Sequence, residues 1–402
     1  MKVLVVNAGS SSLKYQVIDM TTEEALCSGG MERIGFEKSK ITHKAKGQKW
    51  VMEDKGLADH TVAFNTLIEI LTDKEKGVLS SIEEISAIGH RYVNAGEAYV
   101  APTYITDEVI KNLKDNICFA PLHDPAHIAC IESCRTLLPK VPNVIVLDTG
   151  FHATMPKSTG LYPIPYEDYE AYHIRRYGAH GTSHKFVSSE AIKYLNAHGY
   201  KSEKIVTCHL GNGSSITAVL NGKSIDTSMG MTPLAGIPMG TRCGDIDVAA
   251  AEMLADRKGM SFKETVTYLN KKCGYLGVSG VSSDSRDLYA ATAEGNERAR
   301  LALDMFVVAT KKYIGAYAAE MNGLDCLVFT GGIGENAFES RESISENMEY
   351  LGIDFDKKKN AGSRGEFIDL ATKDSKVRVL VIPTNEELVI ARETKEVVEN
   401  LK

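Results

Sequence analysis

The sequence predicts an α/β protein of two duplicated lobes, and three observations support that fold class. Short apolar runs typical of strands alternate with segments of helical periodicity along all 402 residues. Two similar strand–turn–strand segments, residues 6–13 and 207–217, lie about half a chain length apart. Three prolines fall within residues 156–165, a linker-like change of composition, and we place the lobe boundary near residue 150.

Composition excludes several classes of function. The formal net charge of −7 leaves no basic face for a nucleic-acid backbone. No apolar run approaches the roughly 20 residues of a membrane span, and the first run, residues 3–6, is too short for a signal peptide. The eight cysteines form no CxxC pair, so we expect reduced thiols in a cytoplasmic protein. Cys130 and Cys134 share one helical face, where core thiols are favoured over metal ligands.

The first predicted lobe, residues 1–150, begins with two or three strands in residues 1–30. A polar hairpin or loop is expected at residues 38–56. Helical periodicity then predicts helices, the second of them with Thr106 as N-cap, and continuous apolar runs predict two buried strands. The helices are expected at 61–71, 106–117 and 128–138, and the strands at 85–89 and 144–147.

The second predicted lobe, residues 151–385, repeats this plan. It contains polar turns at 178–181 and 211–215 and a glycine-rich loop at 228–247. Helices are expected at 183–197, 246–257, 261–272 and 286–322, and strands at 325–329 and 377–382. A final helix is expected from about residue 386 to residue 401.

Polar residues flanked by glycine recur at the ends of the predicted strands. They are Asn7, Arg91, Asp148, His180, Asn212 and Gly331–Gly332. Sheets of α/β proteins bind ligands at such strand ends. Glycine lets a backbone approach a ligand closely, and hydroxyl and N–H groups suit phosphate. From the two repeated turns alone, ordinary hairpins remain an equal alternative.

Individual motifs are less specific. Arg91 and Arg242 lie near glycines and could bind a carboxylate or phosphate as planar forks, although pairing with a surface acid is the ordinary alternative for each. The loop at residues 330–335 is neither a Walker A nor a GxGxxG motif. Asp148-Thr-Gly and Asp226-Thr-Ser also suggest an aspartic protease, but the helical periodicity of both halves argues against that all-β class.

Longer motifs resemble the acetate kinase family in order from residue 3 to about residue 395. They include Asn-Ala-Gly-Ser-Ser-Ser-Leu-Lys (7–14), Gly-His-Arg-Tyr-Val-Asn-Ala-Gly (89–96) and Phe-Ala-Pro-Leu-His-Asp-Pro-Ala (119–126). They continue with Leu-Asp-Thr-Gly-Phe-His (147–152), Arg-Tyr-Gly-Ala-His-Gly-Thr-Ser-His (176–184), His-Leu-Gly-Asn-Gly-Ser-Ser (209–215), Met-Gly-Thr-Arg-Cys-Gly-Asp-Ile-Asp (239–247), Phe-Thr-Gly-Gly-Ile-Gly-Glu-Asn (329–336) and Pro-Thr-Asn-Glu-Glu-Leu (383–388).

The resemblance implies two ribonuclease-H-like lobes of the actin/hexokinase type with an ATP cleft between them, in a homodimer. It implies phosphoryl transfer from ATP to acetate, giving acetyl phosphate and ADP, with Mg²⁺ or Mn²⁺. The second lobe would bind nucleotide and form the dimer, and the terminal helix, about 386–402, would join the first lobe.

The resemblance also implies the site residues. Catalytic roles fall to Asp148, His180 and Arg242, and the acetate site to Arg91, Val93, Leu122, His123 and Pro233. The metal would be held by Asn7 and Glu386. Nucleotide contacts would come from Lys14, His209, Leu210, Gly211, Asn212, Gly213, Asp284, Ser285, Arg286, Gly331, Gly332, Ile333, Gly334, Glu335 and Asn336.

Three residues depart from the family pattern. Ala179 stands where phenylalanine is common, which leaves the preferred acyl chain open. Ala235 and Val248 stand where glutamate and proline are usual, which affects how rigidly Arg242 is held. Two alternatives therefore accompany acetate kinase activity: a propionate-preferring kinase of the same family and a non-catalytic, ATP-gated actin-like protein.

Overall fold

A computed structural model describes residues 1–53, 56–120 and 123–401. The chain forms two compact units, Met1–Gly150 together with Asn385–Lys402, and Phe151–Thr384. Within the described residues, no helix combines the length and the apolar character needed to cross a membrane.

The first unit is built on an eight-stranded sheet of order β5-β4-β3-β2-β1-β6-β8-β7. Its strands are β1 (Lys2–Gly9), β2 (Ser12–Asp19), β3 (Glu24–Glu32), β4 (Lys40–Ala45), β5 (Gln48–Glu53), β6 (Ile85–Tyr92), β7 (Thr103–Tyr104) and β8 (Asn143–Leu147). Strand β1 is antiparallel to β2 and parallel to β6, and β6 is parallel to β8. The carboxyl ends of β1, β6 and β8 therefore lie at one edge of the sheet.

The second unit contains a six-stranded sheet of order β11-β10-β9-β12-β14-β13. Its strands are β9 (Lys204–Leu210), β10 (Ser214–Leu220), β11 (Lys223–Thr227), β12 (Cys326–Thr330), β13 (Ile368–Asp369) and β14 (Arg378–Val381). Strand β9 is antiparallel to β10 and parallel to β12, and β12 is parallel to β14.

The two sheets share one plan. The order β3-β2-β1-β6-β8 in the first unit matches β11-β10-β9-β12-β14 in the second, with the same parallel and antiparallel pairs. The repeated turns differ slightly, because Gly9 pairs with Ser12 whereas Leu210 pairs with Ser214. The second turn thus has one more residue. The predicted α/β class and the duplication are confirmed.

Helices cover the sheet of the first unit. They are α1 (His60–Thr72), α2 (Asp107–Asp115) and α3 (Asp124–Leu137), with α15 (Glu386–Asn400) added from the end of the chain. Helix α2 is capped as predicted, since the Thr106 side chain accepts from the backbone N–H of Val109. Helix α15 packs on β6 so closely that a Cβ at Gly89 would lie 2.3 Å from Thr394 Oγ1. This packing places Glu386 beside the first sheet.

The second unit contains the remaining helices. They are α4 (Lys157–Gly160), α5 (Tyr166–Tyr172), α6 (Gly181–Ala197), α7 (Val248–Lys258), α8 (Phe262–Lys271), α9 (Gly274–Ser279), α10 (Ser285–Ala293), α11 (Glu297–Glu320), α12 (Gly331–Asn336), α13 (Phe338–Ser345) and α14 (Lys357–Asn360). The helical region predicted at 286–322 is present as two helices, α10 and α11. Gly295 turns the chain with a φ of 91°, and Asn296 then caps α11.

The proline-rich stretch is not a linker. Residues 156–165 belong to the second unit, where α4 packs on β11 and Thr159 Oγ1 donates to Ile225 O at 2.6 Å. Proline fixes φ and removes a donor, so these prolines mark turns and helix starts within a folded segment.

Candidate active site

Three polar side chains meet at the carboxyl edge of the first sheet. Asn7 lies near the end of β1, Arg91 near the end of β6, and Asp148 directly after β8. Arg91 donates from Nε to Asp148 Oδ1 at 3.0 Å, from Nη2 to Asp148 Oδ2, and from Nη1 to Asn7 Oδ1 at 3.3 Å. The guanidinium is therefore held as a fork by a bidentate carboxylate, the geometry that fixes its plane.

This cluster is charged and mostly buried. The side chains of Arg91 and Asp148 are 22% and 1% exposed. Burial lowers the pKa of Arg91, but the carboxylates of Asp148, Glu386 and Glu387 together raise it by more, so the pKa is higher than the usual value. Burial raises the pKa of Glu387. Glu386 and Glu387 form the first turn of α15, so Arg91 is a permanent cation among acidic groups.

The other first-unit residues have different surroundings. Lys14 pairs with Asn7 across the β1–β2 ladder and is exposed. Val93 is buried, and His123 directly precedes α3. Leu122 lies outside the described residues. Among the predicted residues of this unit, Asn7, Arg91, Asp148 and Glu386 are brought together.

His180 is the predicted histidine with the most specific geometry. It caps α6 with a left-handed φ of 57°, which is uncommon for a non-glycine residue. Its Nδ1 lies 2.8 Å from Ser215 Oγ, and its ring stacks on that of His209 at 4.3 Å between centroids. Ser215 Oγ also lies 2.7 Å from Nε2 of His184, whose pKa is lowered by burial. A neutral buried histidine thus helps to hold His180.

Arg242 and His180 approach the same glycine. A Cβ at Gly213 would lie 3.5 Å from both Arg242 Nη1 and His180 Nε2. Arg242 Nη1 donates to the carbonyl oxygen of Pro233 at 3.1 Å, which orients the side chain. Burial lowers the pKa of Arg242. A histidine and an arginine from other segments therefore lie beside the tip of the glycine-rich turn between β9 and β10.

A cavity of about 850 Å³ adjoins this turn, within the size range of small-molecule sites. Eight of its lining residues are predicted nucleotide contacts: Gly211, Asn212, Asp284, Ser285, Arg286, Gly332, Ile333 and Asn336. Five others were missed by sequence reasoning: Ser283, Tyr289, Ala337, Glu339 and Arg364. No motif marks these five, which come from α10, α13 and the surrounding loops.

The remaining predicted nucleotide residues of the second unit occupy structural positions. The Leu210 side chain is in the core. Glu335 Oε1 accepts from the backbone N–H groups of Gly331 at 2.9 Å and Thr384 at 3.1 Å, so this carboxylate fixes the loop. His209 Nδ1 lies 2.8 Å from Ser183 Oγ. Gly331, with a φ of 75°, and Gly334 face backbone atoms, so these residues shape the site.

Two sheets of the same plan, with glycine-containing turns at their strand ends, give the chain a two-lobed α/β fold of the actin/hexokinase type. The sequence matches the family model described as "Acetokinase family" over residues 2–392. The chain belongs to the acetokinase family.

Similar proteins cover the whole chain. It is 54% identical over 397 residues to a protein of Clostridium botulinum named acetate kinase, covering 99% of each. An acetate kinase of Clostridium acetobutylicum is 52% identical over 405 residues and is covered fully. The crystal structure of Porphyromonas gingivalis acetate kinase shares 44% identity and a TM-score of 0.93, with 99% of each chain covered. The crystal structure of a propionate kinase from Francisella tularensis shares 41% identity and a TM-score of 0.90, with 98% of this chain and 99% of that chain covered.

Proposed function

We propose that this protein is an ATP:acetate phosphotransferase that reversibly converts ATP and acetate to ADP and acetyl phosphate by direct in-line transfer. The observation that carries the proposal is full-length similarity to acetate kinases, 54% in the example above. Two features of the site support it. One unit presents a buried arginine fork, and the other presents a nucleotide-sized cavity beside Gly213, His180 and Arg242.

The chemistry requires few proton transfers. An acetate oxygen is already an anionic nucleophile, so the enzyme mainly has to position two anions and stabilise the charge on the moving phosphoryl group. We assign the acetate carboxylate to Arg91, whose fork suits it. Val93, Leu122, His123 and Pro233 are assigned to the acyl side. His180 and Arg242 are assigned to the transferring phosphoryl group.

Asp148 is assigned a positioning role. Its carboxylate occupies two N–H groups of Arg91 and is 1% exposed, so it already serves as the counter-ion of that guanidinium. A carboxylate nucleophile needs no strong base. We therefore propose that Asp148 sets the plane of the arginine rather than accepting a proton from the substrate.

A divalent metal fits the acidic part of this cluster. Mg²⁺ prefers oxygen ligands and is commonly held by one or two carboxylates together with substrate phosphates. Asn7 offers an amide oxygen, and Glu386 lies close enough to Arg91 to raise its pKa. We assign Asn7 and Glu386 to Mg²⁺, or Mn²⁺ in its place. When bound with ATP, the ion would neutralise phosphate charge. Lys14 and the cavity residues are assigned to the nucleotide.

The reaction is tested directly by trapping acyl phosphate with hydroxylamine. The full-length protein is incubated with ATP, Mg²⁺ and acetate, propionate or butyrate, and ADP release is followed in parallel. We expect hydroxamate equal to ADP with acetate. ADP release without hydroxamate would identify an ATPase and favour the actin-like alternative. A larger kcat/KM for propionate than for acetate would favour the propionate-preferring alternative.

We further propose that the second unit forms a homodimer. Helix α7 has no buried residue, and its Val248 and Met253 are 77% and 64% exposed. Phe262, the first residue of α8, is 82% exposed. Apolar surface of this kind usually marks a protein interface. Light scattering should give twice the chain mass, and Phe262→Glu should shift it toward the monomer. Tyr350→Glu, at another exposed aromatic residue, is the matched control. A wild-type monomer at micromolar concentration would contradict the proposal.

We place the protein in the cytoplasm. The support for this assignment is that all eight cysteines are free thiols, five of them buried, as is usual in a reducing compartment. Fractionation of cells that express the chain, followed by thiol counting on the recovered protein, would test it. Recovery from an oxidising compartment with paired cysteines would contradict it.

A further inference from the structure

Three potential metal ligands meet in the interior of the first unit, apart from the substrate and magnesium residues assigned above. Cys130 and Cys134 lie one turn apart on α3, and His90 comes from the adjoining strand β6. Their ligand atoms all lie within 4.8 Å of one another. The three residues are 1%, 0% and 2% exposed. The sequence shows the two thiols on one helical face, but the histidine joins them only through the fold.

The hydrogen bonding of His90 indicates the tautomer of its ring. His90 Nε2 lies 2.7 Å from Asn143 Oδ1. Asn143 Nδ2 donates to the carbonyl oxygen of Val141 at 2.8 Å, so the amide oxygen is the atom that faces the ring. In the neutral ring Nε2 therefore carries the proton, and Nδ1 is the nitrogen that can bind a cation. Metal-binding histidines typically donate their second ring nitrogen to an acceptor in this way.

The thiolate is the form of cysteine that binds metals, so both thiols lose a proton when a cation binds.

We propose that His90, Cys130 and Cys134 form a site for a thiophilic divalent cation of the Zn²⁺ class. Binding would release two protons, one from each thiol, and form two metal–sulfur bonds and one metal–nitrogen bond. Two thiolates and one neutral imidazole balance the charge of a divalent ion, so the complex has no net charge to bury. Monovalent copper on the same ligands would leave a net negative charge.

The spacing suits this assignment. Zinc–sulfur bonds of about 2.3 Å at a tetrahedral angle place two sulfur atoms about 3.8 Å apart. The ligand atoms lie within 4.8 Å of one another, so the two sulfur atoms would have to approach each other by about 1 Å at most. Sulfur and imidazole select Zn²⁺ or Cd²⁺ over Mg²⁺, which binds oxygen. The site is thus chemically separate from the magnesium position proposed at Asn7 and Glu386.

The site adjoins the substrate residues through the backbone. His90 directly precedes Arg91 in β6, and α3 follows the loop that holds His123. A cation bound between β6 and α3 would cross-link the two elements. We expect it to stabilise the first unit against unfolding, because a ligand that binds only the native state raises its stability.

The test uses the full-length, reduced and metal-free protein with Cd²⁺ as the probe, added alone and during refolding to allow access. We expect one Cd²⁺ per chain, a sulfur-to-metal charge-transfer band in the near ultraviolet, and a higher Tm. X-ray absorption at the zinc edge of the Zn²⁺ form should show two sulfur neighbours at about 2.3 Å and one nitrogen at about 2.0–2.1 Å. This measurement needs no variant.

Variants localise the site. Cys130→Ser and Cys134→Ser should abolish the band, and Asn143→Ala should weaken binding about 10- to 100-fold, as loss of an outer-shell partner does. Cys27→Ser, at another buried thiol of this unit, is the matched control and should retain the band.

Three outcomes would overturn the proposal. They are no tight stoichiometric cation in the wild type, a band that survives in both Cys130→Ser and Cys134→Ser, and binding of monovalent copper but not of Zn²⁺ or Cd²⁺. A Cys130–Cys134 disulfide that forms in air, with no metal bound after reduction, would also overturn it and identify a redox pair.

Discussion

Replacement of Arg91 separates binding of the acyl acceptor from binding of the nucleotide. A charge-assisted hydrogen bond contributes about 1.5–3 kcal/mol, which corresponds to roughly a 10- to 150-fold change in affinity. Arg91→Ala should therefore raise the acetate KM by that factor and leave the ATP KM within about threefold. Steady-state kinetics with each substrate varied in turn measures both constants.

The same change should also reduce stability. Arg91 neutralises Asp148, which is 1% exposed. Removal of one member of a buried ion pair costs about 3–5 kcal/mol because the other charge is left buried. Urea unfolding of Arg91→Ala should show this loss, whereas the double variant Arg91→Ala/Asp148→Asn should recover part of it. Kinetics must therefore be measured where each variant is folded.

Two further variants distinguish charge from geometry. Arg91→Lys keeps the positive charge but loses the planar fork, so its acetate KM should still rise. Asp148→Asn keeps the shape of the side chain but removes the carboxylate that holds the guanidinium of Arg91. If Asp148 positions Arg91, this variant should raise the acetate KM more than it lowers kcat. An ATP KM that rises as much as the acetate KM in Arg91→Ala would refute the assignment of Arg91 to acetate.

Four other predictions follow from the site and its surroundings. Arg242→Ala should lower kcat by about 10²–10³ with little change in acetate KM, since we assign Arg242 to the transferring phosphoryl group; a retained kcat would contradict this assignment. Glu386→Gln should raise the Mg²⁺ concentration needed for half-maximal rate, and an unchanged magnesium titration would remove Glu386 from the metal site. Burial raises the pKa of Asp124 to about 8, so urea-measured stability should fall as pH rises from about 4 to 8. The pKa of His127, lowered to about 4 by burial, gives the opposite slope below pH 6.5, so between about pH 6.5 and 8 the change of stability with pH should be more negative in the wild type than in Asp124→Asn. Ala179→Phe should lower the free energy of unfolding by about 1–3 kcal/mol by overpacking its buried position. The same variant should lower kcat/KM for propionate more than for acetate, and equal effects on both acids would show that this position does not discriminate acyl-chain length.

The positions of the strand ends could be predicted from the sequence because they depend on local patterns. Continuous apolar runs predicted β6 and β8, and the polar residue at each carboxyl end followed directly. Parallel pairing then brings such ends together. Asn7, Arg91 and Asp148 are joined by hydrogen bonds for this reason.

Contacts that depend on tertiary packing could not be predicted. Arg341 is fully buried in the second unit, where it donates to Asn360 Oδ1 at 3.0 Å and to the carbonyl oxygens of Gly334 and Ser363 at 2.9 and 2.8 Å. Charged residues are rarely fully buried, and no motif indicates this one. The nearby cavity residues Glu339 and Arg364 were missed for the same reason. Their side chains reach the cavity only after α13 and the loop that follows α14 have packed.

The composition of the first-unit cluster gives an electrostatic reason for a divalent cation. Arg91 and Lys14 supply two positive charges, whereas Asp148, Glu386 and Glu387 supply three negative charges when all are ionised. Such a cluster repels an anion such as acetate unless a cation offsets the excess negative charge. The fork of Arg91 can then orient acetate, but orientation alone does not make two anions meet. The carboxylates around the arginine thus support the Mg²⁺ that we propose at Asn7 and Glu386.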